Sequence, residues 1–155
     1  MLAADEASIF WRYIASSLDR LVGCLDGLSA MQLNWRPAAP DTNSLYALAA
    51  HTLGNAEENL LQTLAGGSVG RDRDGEFAAR GESAQAVTAR WATLRAELRA
   101  HLACLPADAL DATYVHPRRG AVTGRELLIV VARHAAEHLG QAELTLALLH
   151  AAQSD

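Results

Sequence analysis

Residues 133–143, RHAAEHLGQAE, constrain this chain more than any other stretch, because they set His134 and His138 four residues apart inside a long apolar segment. Four apart is about one helical turn, so both rings share a face. Wound as a helix over residues 122–149, the segment puts Leu127, Val130, Val131, Thr145 and Leu148 on that face, the stripe that must meet a core. Both imidazoles are therefore expected to point inward. Two readings remain open for such a pair: core histidines hydrogen-bonded to neighbours, or two corners of a divalent-metal site that needs a third ligand from another helix. Gln141, one turn beyond His138, and Glu137, beside the pair, are the residues placed to hold the far ring nitrogen of a ligating histidine. His51 is the candidate third ligand.

At 155 residues, 50% hydrophobic and 20% charged, the chain suits one compact domain, residues 1–155, with a core that needs no staples. It contains no uncharged apolar run of about 18 residues, which argues against a membrane span. The opening MLAADEASIFW carries acids where a signal peptide needs basic residues, so a cytoplasmic location is expected. A formal charge of -5 and a pI near 5.6 lead to the expectation of no nucleic-acid partner, since phosphate contacts call for a basic surface. Cys24 and Cys104 fit no CxxC spacing and read as reduced thiols.

Taken in order, the chain reads as all-α, with four helices and no strand. The first covers about residues 5–28, where Phe10, Ile14, Ser17, Leu21, Cys24 and Leu28 form a stripe at alternating spacings of four and three. Residues 31–42 hold Pro37 and Pro40 and read as a loop anchored by Trp35. Asn43 or Ser44 should cap a second helix that runs to about Ala65. Its apolar side is Leu45, Ala49, Leu53, Ala56, Leu60 and Leu64, whereas His51 shares a side with Ser44, Asn55, Glu58 and Gln62. Taken alone, that polar side reads as solvated surface; the other reading is a wet cleft in which Asn55 and Glu58 serve the site.

Residues 66–82, GGSVGRDRDGEFAARGE, read as an exposed connection with a solvated RDRD run, long enough for the second and third helices to run parallel. The third helix, about residues 83–105, carries Val87, Trp91, Leu94, Leu98, Leu102 and Leu105 on a packing face, with His101 at its border. Residues 106–120 read as a loop whose His116, Arg118 and Arg119 are either exposed or roof a cleft. TGRE at residues 123–126 reads as a capping box opening the fourth helix. Behind the histidines that helix carries Ala132, Ala136, Gly140 and Ala147, a small-residue ridge that leads to the expectation of a homodimer.

LNWRPAAPDTNSLYALAAHTLGNAEENLL, followed far downstream by RHAAEHLGQAEL, resembles the DinB-like superfamily of four-helix-bundle metalloproteins, related to the YfiT-like proteins. Its motif, one histidine in the second helix and HxxxH in the fourth, falls on His51, His134 and His138, with Gln141 in the frequent HxxxHxxQ extension. The resemblance implies an up-down-down-up bundle with long connections, often homodimeric, binding Zn2+, Ni2+ or another divalent ion. It also implies a cleft position for His51 and relatives that include metal-dependent thiol transferases. The expected function is thus attack by a metal-activated thiolate or water on a small electrophile, with a low-molecular-weight thiol as a partner. Glu58 is the candidate base in that scheme. HAAEH also spells the inverted zinc-peptidase motif with Glu137 as base, but its third ligand, a carboxylate far downstream, has only Glu143 and the terminal Asp155 to draw on. The alternative outside catalysis is a metal-binding stress or sensor bundle.

Overall fold

The computed structural model describes residues 3–153; Met1 and Leu2 of the segment weighed as a signal, and the terminal carboxylate Asp155, lie outside the described residues. Within them the chain forms α1 (Ala3–Gly23), α2 (Ala30–Leu33), α3 (Leu45–Ala56), α4 (Arg73–Ala78), α5 (Gln85–Ala103), β1 (Thr113–His116), β2 (Gly120–Thr123) and α6 (Gly124–Ala152). The all-α class holds broadly, with six helices and one two-stranded hairpin. No helix among the described residues is long and apolar enough to cross a membrane.

Side chains that accept orphan amides start α2, α3, α4 and α6. Ser44 Oγ accepts from Ala47 N–H at 3.2 Å, and Thr123 with Glu126 makes the reciprocal box expected of TGRE: Glu126 N–H donates to Thr123 Oγ1 at 3.2 Å and Thr123 N–H to Glu126 Oε2 at 2.6 Å. Ser29 and Gln32 build the same box for α2, an element that falls in what reads as the Pro-rich loop. α1 stops at Gly23 rather than near Leu28, and residues 24–27 form a turn. Past Ala56, α3 continues as a π-helix over Glu57–Leu64, where Thr63 Oγ1 donates to the Glu58 carbonyl five residues back at 2.8 Å.

α1 packs against α5 and α6, and α3 against α5 and α6. One core joins Ile14, Leu18 and Leu21 of α1 to Leu48 and Leu53 of α3, Trp91 and Leu98 of α5, and Leu127, Val131 and Leu139 of α6. At the α1–α5 seam Trp91 stacks obliquely on Trp11, with centroids 6.2 Å apart, and its Nε1–H donates to Asp19 Oδ1 at 2.8 Å. Burying apolar surface of this kind is stabilising, and most of it here is leucine.

Two stretches that read as connections carry structure. Within residues 106–120 and just beyond, β1 and β2 pair antiparallel from Thr113 with Thr123 to His116 with Gly120, and the return depends on Gly120, whose φ of 74° a side chain would resist. Within residues 66–82, α4 is capped by Asp72, whose side chain accepts from Gly75 N–H at 2.9 Å. The Glu76 side chain of α4 settles on α3 at Gly54, where a Cβ would sit 1.8 Å from its Oε1. On the far side of α6, Ala136, Gly140 and Ala147 are exposed in the single chain.

Candidate metal centre

α3 brings His51, and α6 brings His134 and His138, to one point beneath α4. His51 Nε2 lies 3.1 Å from His134 Nε2, and His138 Nε2 lies 3.1 Å from the same atom. The ligand atoms of all three lie within 4.8 Å of one another. Ligands at about 2.0–2.1 Å on a tetrahedral ion stand roughly 3.3 Å apart, so the spacing is close to what a shared cation needs. His51 is 4% exposed, and Phe77 of α4 stacks on its ring at 4.1 Å.

The far ring nitrogens decide what the near ones offer. His51 Nδ1 sits 3.1 Å from Glu76 Oε2, so it carries the hydrogen and Nε2 is a lone pair. Arg71 Nη2 approaches the same Nδ1 at 3.4 Å, farther than the carboxylate, and its two hydrogens have Glu76 Oε2 at 2.8 Å and the His51 carbonyl at 3.4 Å as acceptors, which leaves the His51 hydrogen on the carboxylate side. His138 Nδ1 donates to Gln141 Oε1 at 2.8 Å, so its Nε2 is a lone pair too. His134 Nε2 faces both, and one hydrogen there can satisfy only one of them; at least one lone pair is left without a donor at 3.1 Å unless a cation lies among them.

A proton is a poor substitute for that cation. Burial, followed by the neighbouring His138 and His51, pushes His134 down to about 3, and burial likewise lowers His138 against the opposing hydrogen bond of Gln141. Neutral imidazoles with fixed outer hydrogen bonds are the form that ligates metal. The group can hold a metal ion.

Around His51 runs a buried ion network that sequence reading misses. The Arg71 side chain, 4% exposed, donates Nε–H to Glu76 Oε1 at 2.7 Å and Nη2–H to Glu76 Oε2 at 2.8 Å, a bidentate clamp. Its Nη1–H reaches Glu58 Oε2 at 3.1 Å. Glu58 Oε2 also accepts from Arg118 of the hairpin turn and lies 3.5 Å from Nε2 of the buried His116. His116 Nδ1 accepts from Arg118 N–H at 3.1 Å, which leaves the ring hydrogen on the nitrogen facing Glu58. Burial alone would raise Glu76, but the hydrogen bonds from His51 and Arg71 hold its carboxyl below the usual range.

The polar side of α3 is therefore not solvated surface: His51, Asn55 and Glu58 are each 4% exposed, roofed by α4 and the hairpin. The RDRD run is not wholly solvated either, since Arg71 is its deepest member. Gln141 stands on His138 as its spacing suggests. Glu137 does not share that duty: it is about half exposed and lies 3.4 Å from Arg133, one turn back on the outer side of α6. His101 is exposed on α5. Asn55 Oδ1, Asn59 Oδ1 and His134 Nδ1 are buried without a hydrogen-bond partner. A cleft of about 370 Å³ opens beside His51 and His134, lined also by Asn55, Arg71, Arg73, Arg118 and Arg119. On the other flank an apolar cleft of about 500 Å³ passes His138 and Gln141 between Leu48, Phe77, Leu144 and Leu148.

Residues 13–142 match the DinB superfamily, and the chain belongs to it. No curated protein matches the sequence. Among solved structures, a conserved protein from Enterococcus faecalis superposes with a TM-score of 0.77 at 17% identity, over 93% of this chain and 96% of that one. The colibactin self-resistance protein ClbS, solved in complex with double-stranded DNA, superposes with a TM-score of 0.60 at 17% identity, over 88% of this chain and 93% of that one. This corrects the expectation of no nucleic-acid partner: a protein of this fold is found with DNA, so overall acidity is no ground for excluding it. A local cluster of arginines survives inside a chain whose net charge is negative, which a whole-chain sum conceals.

Proposed function

We propose that this member of the DinB superfamily is a divalent-metal-dependent enzyme, with His51, His134 and His138 as ligands and Zn2+ the first choice of ion, Ni2+ the second. The reading takes the chain as one domain, an up-down-down-up four-helix bundle, that transfers a thiol to, or hydrolyses, a small electrophile. The observation that carries it is the convergence of three imidazoles, of which His51 and His138 have their outer nitrogens held by Glu76 and Gln141, so that both turn a lone pair toward His134 Nε2 at 3.1 Å. When bound, a divalent ion with three protein ligands has room for a thiol or water and lowers its pKa toward neutrality.

The chain's own residues do the rest. Glu76 fixes the His51 tautomer, and Arg71 keeps Glu76 ionised and in place. Glu58 ties Arg71 to Arg118 and so braces α4 against the hairpin. Its Oε2 already takes two guanidinium donors, so bracing rather than proton abstraction is its role, and Glu58→Gln should then cost less than the roughly 10²–10⁴ that loss of a general base brings. Phe77 and α4 keep bulk water from the His51 side. Elemental analysis of wild type and His134→Ala tests the ligand set: equal metal content would refute it. An assay of the zinc- and nickel-loaded protein with small thiols and a generic electrophile then separates transfer to thiol from hydrolysis. Stoichiometric metal without turnover favours a sensor or stress-binding role.

A second reading takes its support from ClbS and the arginine cleft: contact with the phosphates of double-stranded DNA. A fluorescent duplex titrated at two salt concentrations tests it, because phosphate contacts weaken steeply with salt.

A further inference from the structure

The two clefts that flank the histidines differ in charge, and the polar one is out of balance. Four arginines line it, Arg71, Arg73, Arg118 and Arg119. Two carboxylates answer them: Glu76 and Glu58 take Arg71, and Glu58 also takes Arg118. Arg73 lies over the Phe77 ring at 5.0 Å, and Arg119 has no hydrogen bond or ion pair among the described residues. In a chain of net charge -5 this is a local excess of positive charge, and a divalent ion on the histidines would deepen it. Asn55, 4% exposed, lines the same cleft with its Oδ1 unpartnered. A buried carbonyl oxygen without a donor is destabilising, so it calls for a ligand that supplies one. The cavity between the π-helical segment and α5, about 300 Å³, offers one imidazole, His101, and no guanidinium, so nothing comparable exists there.

We infer that the small molecule activated at this site carries an oxyanion, a carboxylate or phosphate, seated on Arg119 with Arg118 and Arg73 beside it, next to a hydrogen-bond donor that meets Asn55 Oδ1. The inference deepens the proposed function and rests on it. Arg119 is the recognition residue because its guanidinium is uncommitted, whereas Arg71 and Arg118 are held by Glu58 and Glu76. The anion stays on the arginines of the polar cleft while the reactive end reaches the imidazole cluster, and the apolar cleft past His138 receives what lies beyond.

The test uses cobalt(II)-loaded protein and two thiols of nearly equal size, 3-mercaptopropionate and its methyl ester, with the thiolate-to-cobalt absorption as readout. Wild type should bind the acid at least about tenfold more tightly than the ester, the range of one charge-assisted contact. Arg119→Gln should remove most of that preference, lowering affinity for the acid while moving the ester less than about twofold, with cobalt content unchanged, and Arg119→Lys should restore part of it. Competition by acetate against inorganic phosphate then assigns the oxyanion as carboxylate or phosphate. Loading without any preference for the acid, or a preference that Arg119→Gln leaves intact, overturns the inference alone. Failure to take up cobalt overturns the metal reading and the inference with it. A DNA duplex that binds wild type and not Arg119→Gln, where the acid shows no preference, would make the cleft a backbone-phosphate site and end the small-molecule proposal.

Discussion

The two halves of the histidine cluster are built on different principles. On α6, His134 and His138 are set by spacing alone: one helix, one turn apart, with Gln141 a further turn along to hold His138 at 2.8 Å. On the α3 side nothing local suffices. His51 is oriented by Glu76, which Arg71 clamps, and both arrive from a stretch with no periodicity. A site can thus take half its precision from helical geometry and half from a long-range ion network, and only the first half is a property of short sequence windows.

The sharpest break in that comparison is His134→Ala, the one residue that faces both halves; metal content should fall from about one ion per chain to near zero by elemental analysis, since two imidazoles hold an ion poorly. Next in size is Gly54→Ala, which strikes the ion network of the α3 half. Its Cβ would sit 1.8 Å from Glu76 Oε1, so the Glu76–Arg71 clamp must give, costing about 1–3 kcal/mol in thermal or denaturant unfolding as overpacking does, together with weaker metal binding. Glu76→Gln should lower metal affinity by roughly 10–100-fold, and Gln141→Ala by less, because an outer partner matters more when it is buried and charged; equal effects in calorimetry would erase the distinction between the halves.

The smallest effect is a pH window. His134 is held at about 3 when folded against the ordinary 6.5, so its folded form binds fewer protons, and stability present above about 6.5 is lost as pH falls toward 3. Glu76, lowered from 4.5, contributes only further down. The melting temperature of metal-free protein should therefore drop between pH 6.5 and 5 more steeply in wild type than in His134→Gln.

The legible parts of the fold are those where one helix's own face is apolar. Val87, Trp91, Leu94, Leu98 and Leu102 all lie buried as their heptad implies, and Thr123 with Glu126 caps α6 as written. The histidine pair of α6 is read the same way. His51 is the reverse: its neighbours Asn55 and Glu58 are polar, and a helical wheel equates polar with wet. Glu58 is buried because Arg71 and Arg118 supply counter-charges from segments distant in the chain, a pairing that no periodicity records, and Asn55 is buried under the same roof. α4 escapes because six residues are too few for a pattern. The hairpin escapes for the same reason, although Tyr114-Val115 and Ala121-Val122 around an Arg-Arg-Gly turn carry a faint strand signal. Glu137 shows the converse error: adjacency in sequence put it beside the pair, while the helix turns it outward to Arg133.

The widened turns of Glu57–Leu64 give the α3 rod two angular phases. The first sets which way His51 faces; the second sets what the rest of the rod shows to α5, α6 and the hairpin. Because an α-helix advances about 100° per residue, one residue more or less within the π segment acts as a rotation far more than as a change of length. Deleting a single residue there would return the rod to one phase and turn Thr63 and Leu64 away from their present neighbours while His51 kept its aim. Length in this stretch behaves as an angular setting, and relatives that differ by one residue here are expected to differ in how the hairpin meets the helix before they differ at the histidines.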